Sequence, residues 1–241
     1  MSMPTSFGGQ HVHSITMVRH GRTSYNAAGR LQGQIDIPLD EVGRWQVEQT
    51  AQALNSLYVE GCNKQRKQIV IASDLGRAMA TAHAFADPLG LTVHPDSRVR
   101  ERAFGAWEGL SLDEMREQWP EDYRLWLEFK GGELHHGAET KEHVGIRGVE
   151  ALNEWSAQGD DDTDLFVFSH GAWISQTLQT ILGMNQVYDD FANLISMRNA
   201  HWTRLIPLTG IKESHRWRMV DYNQGPAVAQ TAKWENPQTS S

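Results

Sequence analysis

Three short β-prone runs in this chain each end in residues able to handle a phosphoryl group. Ser14 to Val18 runs into Arg19-His20-Gly21, and Asp164 to Phe168 runs into Ser169-His170-Gly171. Gln68 to Ala72 runs into Ser73-Asp74, with Arg77 soon after in the next helical stretch. An imidazole attacks through its unprotonated nitrogen, so its other nitrogen must be held as a donor. Guanidinium groups supply fixed, permanently charged donors for phosphoryl oxygens. Glycine after each histidine lets the backbone come close to a ligand. A helix starting there adds free N–H groups and a partial positive charge. Such a cluster suits phosphoryl transfer and serves a neutral substrate poorly.

The elements that must position these groups alternate. The β-prone runs lack clean period-two patterning, as expected of strands covered on both faces. Thr92 to His94 and Thr203 to Ile206 read as further short strands. Helical spacing marks Leu39 to Leu57, Asp74 to Ala86 (with Ser73 as N-cap) and Ala172 to Leu182. Strands alternating with helices predict an α/β fold: three αβα layers around a mainly parallel sheet. In such sheets ligands bind beyond the carboxyl ends of the strands, where the two histidines and Arg19 fall. Between about 104 and 159 strand signals stop and tryptophans and charges gather, which predicts a mostly helical cap insertion. The expected organisation is one domain over 14–225, with flexible tails at 1–13 and 226–241.

Composition limits what else the protein can be. The 241 residues carry a formal net charge of -8, against nucleic-acid binding through a broad basic face. No apolar run approaches the ~20 residues of a membrane span. The polar start lacks the order of a signal peptide, and one cysteine, Cys62, allows no intrachain disulfide, so a cytoplasmic setting is expected. There is no G-x-x-x-x-G-K-[ST] loop and no G-x-G-x-x-G after a strand. His135, His136 and His143 match no zinc spacing and read as a surface loop, with no metal site.

Four segments together carry a resemblance. Met17-Val18-Arg19-His20-Gly21-Arg22-Thr23-Ser24-Tyr25-Asn26, followed by Gln32-Gly33, resembles the signature of the histidine phosphatase (phosphoglycerate mutase-like) superfamily. Ser73 to Ala82, Val99 to Gly109 and Phe168 to Gly171 resemble its later motifs, in family order. The resemblance implies a metal-independent enzyme without cofactor, acting on a small phosphorylated substrate. His20 would become a phosphohistidine, with Arg19, Arg77 and His170 clamping the phosphoryl oxygens. Glu101 would protonate the leaving oxygen and then deprotonate the attacking water, so it must carry a proton at the first step. Asn26, Gln32 and Gly33, with Arg22, Thr23 and Gly171, would line the phosphate and substrate site. A homodimer is also implied.

The same pocket could serve a phosphatase, a phosphoglycerate mutase, or a protein that binds phosphorylated partners without turning them over. The cofactor-dependent mutases have asparagine and serine where this chain has Ala172-Trp173, and a longer insertion with paired arginines. No catalytic position of the family pattern is lost, so the expectation is a phosphatase. The segments Asn199 to Thr203, Arg216-Trp217-Arg218 and Tyr222-Asn223 are similar to those of phosphatases acting on glucosyl-3-phosphoglycerate.

Overall fold

The computed structural model describes residues 12–61, 65–208 and 217–238. Cys62, Arg216, and the tail residues 1–11 and 239–241 therefore lie outside the described residues.

In chain order the elements are β1 (Ser14–Arg19), α1 (Ser24–Ala27), α2 (Glu41–Tyr58), β2 (Lys67–Ala72), α3 (Gly76–Ala86), β3 (Val93–Pro95), α4 (Leu112–Gln118), α5 (Pro120–Leu127), α6 (Lys141–Ser156), β4 (Thr163–Ser169), α7 (Gly171–Ile181), β5 (Trp202–Pro207) and β6 (Trp217–Gln224). Among the described residues they build one sheet of order β3-β2-β4-β1-β5-β6. The pairs β3–β2, β2–β4 and β4–β1 are parallel, whereas β5 runs antiparallel to β1 and to β6. The αβα architecture and mainly parallel sheet are as the sequence predicts.

Strand β4 shows why its apolar residues run without a break. Leu165 and Val167 join the cluster with α6 and α7, including Trp173, Ile174 and Leu178. Phe166 and Phe168 point the other way and pack with Phe85 of α3 and Leu54 of α2. Each face of the strand is thus buried under a helical layer. Register then fixes the site, because Arg19 of β1 pairs with Ser169 of β4. The next residues, His20 and His170, emerge side by side at the carboxyl ends of neighbouring central strands.

Four local expectations need correction. Ser73 does not cap α3: the N-cap is Leu75, without a side-chain bond, and Asp36 Oδ1 accepts the Gly76 N–H at 2.9 Å. Helix α6 falls inside the predicted insertion, yet its Val144, Ala151 and Leu152 belong to the sheet's own core. The cap therefore ends before α6 and consists of α4, α5 and short 3-10 turns around Trp107, Met115 and Phe104. Residues 226–238 do not form a loose tail, for Trp234 is buried against Trp45 and His201. Val12 is likewise buried, so the ordered chain starts ahead of residue 14. Strand β6 was not anticipated, since its exposed outer face breaks the apolar pattern. Among the described residues no helix is long and apolar enough to cross a membrane.

Candidate active site

A cavity of about 390 Å³ opens at the carboxyl edge of the sheet, under the cap. His20 forms its floor and is almost completely buried. Its Nδ1 lies 2.7 Å from the carbonyl oxygen of Gly21. A carbonyl can only accept, so Nδ1 carries the proton and Nε2 keeps its lone pair. Burial, then the charges of Arg77 and Arg19, hold the pKa of His20 well below the ordinary histidine value. The ring stays neutral and nucleophilic.

His170 faces it with ring centroids 5.1 Å apart. It is fully buried and neither ring nitrogen has a partner, an arrangement that costs free energy until a ligand supplies one. Burial and then Arg77 also depress its pKa strongly.

The two arginines are held by carbonyls rather than carboxylates. Arg77 is fully buried and donates from Nη1 to Ile35 O and from Nη2 to Gly33 O, each at 2.7 Å. Arg19 donates from Nη1 to the Met197 carbonyl. The Nε of each has no partner. Among the described residues neither is in an ion pair, although the Glu101 carboxylate acts on both from farther off, so the floor presents two guanidinium groups suited to an anion. Gly171 makes room for this, because a Cβ there would sit 3.3 Å from Arg19 Cζ. Gly33 has φ +53°, and a Cβ would strike the Glu108 carboxylate at 2.1 Å.

Glu101 lies on the cavity wall with both oxygens engaged. Oε1 accepts the N–H of Trp173 at 2.9 Å and that of Arg102 at 2.8 Å, and Oε2 accepts that of Ala172 at 3.2 Å. Asn26 and Gln32 also line the cavity. Asn26 Oδ1 takes the Thr23 N–H and the Asn199 Nδ2–H, each at 3.1 Å, which leaves its NH2 as the group able to meet a ligand.

Two predicted substrate contacts are not brought to the cavity. Arg22 turns away and donates from Nε to Asp40 at 2.8 Å. Thr23 is fully buried, caps α1 and reaches Gln32 at 2.9 Å. The sequence places them beside the nucleophile; the turn after β1 sends their side chains elsewhere. The three histidines expected in a surface loop lie in a 3-10 turn (His135, His136) and in α6 (His143), each engaged by a carboxylate. His135 and His136 share Asp122 at 2.8 and 2.9 Å, and His143 pairs with Glu139. Among the described residues no group of His, Cys, Asp or Glu is disposed to hold a metal ion.

Three positioning residues were missed. Asn199 Nδ2 donates to His20 O at 3.1 Å and bridges to Asn26. Only the motif Asn199 to Thr203 hinted at it. Arg147 donates to the carbonyls of Arg98, Arg100 and Glu101 while its Nε pairs with Glu139, fastening the segment that carries Glu101. Ser169 Oγ donates to Val99 O at 2.7 Å and ties β4 to that segment. These are long-range backbone contacts, invisible to spacing.

A glucosyl-3-phosphoglycerate phosphatase of Mycolicibacterium vanbaalenii is 32% identical, over 90% of this chain and 97% of that protein. A probable phosphoglycerate mutase of Yersinia pestis is 35% identical, over 89% and 87%. A mycobacterial glucosyl-3-phosphoglycerate phosphatase solved with VO3 superposes with a TM-score of 0.75 at 30% identity, covering 88% of this chain and all of that one. The profile of the histidine phosphatase superfamily (branch 1) matches residues 15–224, and the chain belongs to that family.

Proposed function

We propose that this phosphatase hydrolyses a small phosphate monoester without a metal ion, through a phosphohistidine on His20. The observation that carries the reading is the Nδ1–H bond from His20 to Gly21 O, which leaves an unprotonated Nε2 for a pocket that also holds Arg19 and Arg77. Nε2 attacks phosphorus in line, the ester P–O bond breaks, and Glu101 gives its proton to the leaving oxygen. Glu101 then takes a proton from water, the water oxygen attacks phosphorus, and the N–P bond breaks to release inorganic phosphate. Arg19, Arg77 and His170 stabilise the charge on the three equatorial oxygens throughout.

The relatives acting on glucosyl-3-phosphoglycerate make that ester, and phosphoglycerate derivatives in general, the first substrates to test. Ala172 on the cavity wall, where the cofactor-dependent mutases carry an asparagine, favours hydrolysis over mutase chemistry. The reading extends to a cytoplasmic setting and a homodimer, the latter testable by light scattering. The decisive experiment measures phosphate release with chelator present, for wild type and His20→Ala, alongside a 2-/3-phosphoglycerate interconversion assay. Chelator-resistant hydrolysis lost in the variant, with an acid-labile phosphoprotein trapped in the wild type, is expected. Interconversion without phosphate release would move the assignment to a mutase.

A further inference from the structure

The hydrogen bond that fixes the tautomer of His20 ends on the carbonyl oxygen of Gly21. That oxygen and the N–H of Arg22 belong to one planar trans peptide unit, so whatever holds one holds the other. Glycine supplies little restraint of its own, because its dihedral angles are free where those of other residues are not. A larger residue is excluded at this point, since a Cβ on Gly21 would meet Gly43 O and Val47 Cγ1, each at 2.6 Å. The orientation of this peptide has to be imposed from outside it.

Gln46 of α2 is placed to impose it. Its side chain is almost completely buried and accepts the Arg22 N–H on Oε1 at 3.1 Å. Its Nε2 donates to Trp234 O at 3.0 Å. The amide fits only this way round, because a backbone N–H can only donate and a carbonyl can only accept. Trp234 is itself anchored, buried against Trp45 and His201. Asn199 Nδ2 also reaches the Gly21 carbonyl, at 3.4 Å, but divides its donors among Gly21 O, His20 O and Asn26 Oδ1. It is the weaker restraint.

We propose that Gln46 is a positioning residue for the nucleophile; this rests on the reading of His20 as the group that attacks phosphorus. By tying the Gly21–Arg22 peptide to the docked C-terminal segment, it keeps the Gly21 carbonyl turned toward His20. The proton then stays on Nδ1 and the lone pair on Nε2. Without Gln46 the peptide can turn, Nδ1 loses its acceptor, and both neutral tautomers become populated. Gln46 is not among the residues lining the cavity, so its effect on rate passes through this turn.

The test uses Gln46→Met, which removes both hydrogen bonds at similar volume. Nitrogen NMR of protein carrying isotope-labelled histidine reads which ring nitrogen of His20 holds the proton, its signal identified by loss in His20→Asn. Wild type should show Nδ1 protonated, and Gln46→Met a mixture of the two tautomers. Its kcat/KM should fall by about tenfold to 10²-fold, on p-nitrophenyl phosphate and an alkyl phosphate alike, since attack suffers and proton donation does not. Gln46→Glu keeps an acceptor for the Arg22 N–H and should recover much of both signals. Gln46→Ala gives the same comparison should the methionine variant fail to fold. An unchanged tautomer, or an unchanged kcat/KM, would overturn this inference alone. Wild type that splits neither ester would overturn the phosphatase reading and this inference with it.

Discussion

Glu101 accepts the backbone N–H of Trp173 at 2.9 Å, and in doing so caps the helix that begins just after His170. The N-cap residue of α7, His170, makes no side-chain cap bond of its own. One carboxylate therefore seats the helix that follows His170 and, in the proposed reaction, would also be the proton donor at His20. The two duties compete for the same oxygens and can be separated by substitution.

Glu101→Gln keeps a carbonyl oxygen for the Trp173 N–H but cannot donate or take the catalytic proton. Turnover of an alkyl phosphate should fall by about 10²–10⁴-fold. Hydrolysis of p-nitrophenyl phosphate should fall much less, because its leaving group needs no proton. Glu101→Ala should add a stability loss of about 1 kcal/mol, the usual size of a lost cap. Rates on the two esters, and urea melts of both variants, check these outcomes.

Acid should destabilise the fold through the buried histidines. His20 and His170 both have folded-state pKa values well below the ordinary 6.5, chiefly from burial. Below that pH the unfolded chain binds protons that the folded chain refuses, so stability falls as pH drops under about 6.5 and is indifferent to these groups above it. His201, pushed down to about 4 by burial, acts in the same direction. Denaturant midpoints between pH 7.5 and 4.5 should drop steeply in wild type and less steeply in a His20→Asn, His170→Asn double variant.

Arg147 reaches no substrate, yet three carbonyls of the 98–101 segment depend on it. Arg147→Ala should misplace Glu101 and lower kcat by about 10²-fold, the typical cost of a shift near 1 Å. Because proton donation is what suffers, the loss should be larger for an alkyl phosphate than for p-nitrophenyl phosphate. An equal loss on both would point to general destabilisation.

Trp234 anchors the C-terminal segment. Its carbonyl accepts from Gln46 at 3.0 Å and its ring packs on Trp45 and His201. Trp234→Ala should cost about 3–5 kcal/mol, the range for emptying a buried aromatic site. A urea-unfolding midpoint unchanged from wild type would contradict the burial.

That His20 and His170 would lie together was legible before the fold. His20 and His170 could be assigned because strand, histidine, glycine and helix follow one another within a few residues, and local order is what a sequence displays. Arg22 and Thr23 were misjudged for the same reason: adjacency to His20 says nothing about where the turn after β1 sends a side chain. The C-terminal segment misled because it is polar on average, while a single buried tryptophan decides its docking.

By itself, the sequence determined the kind of chemistry and the central layering. Residue type sets what a group can donate, accept or attack, and apolar runs dictate strands buried on both faces. The tertiary structure alone decided which groups meet. The β1–β4 register sets His20 beside His170, the backbone carbonyls of Gly33, Ile35 and Met197 orient the two arginines, and the amides of α7 hold Glu101. Those partners are main-chain atoms, identical at every position in the sequence, and only folding gives them distinct places.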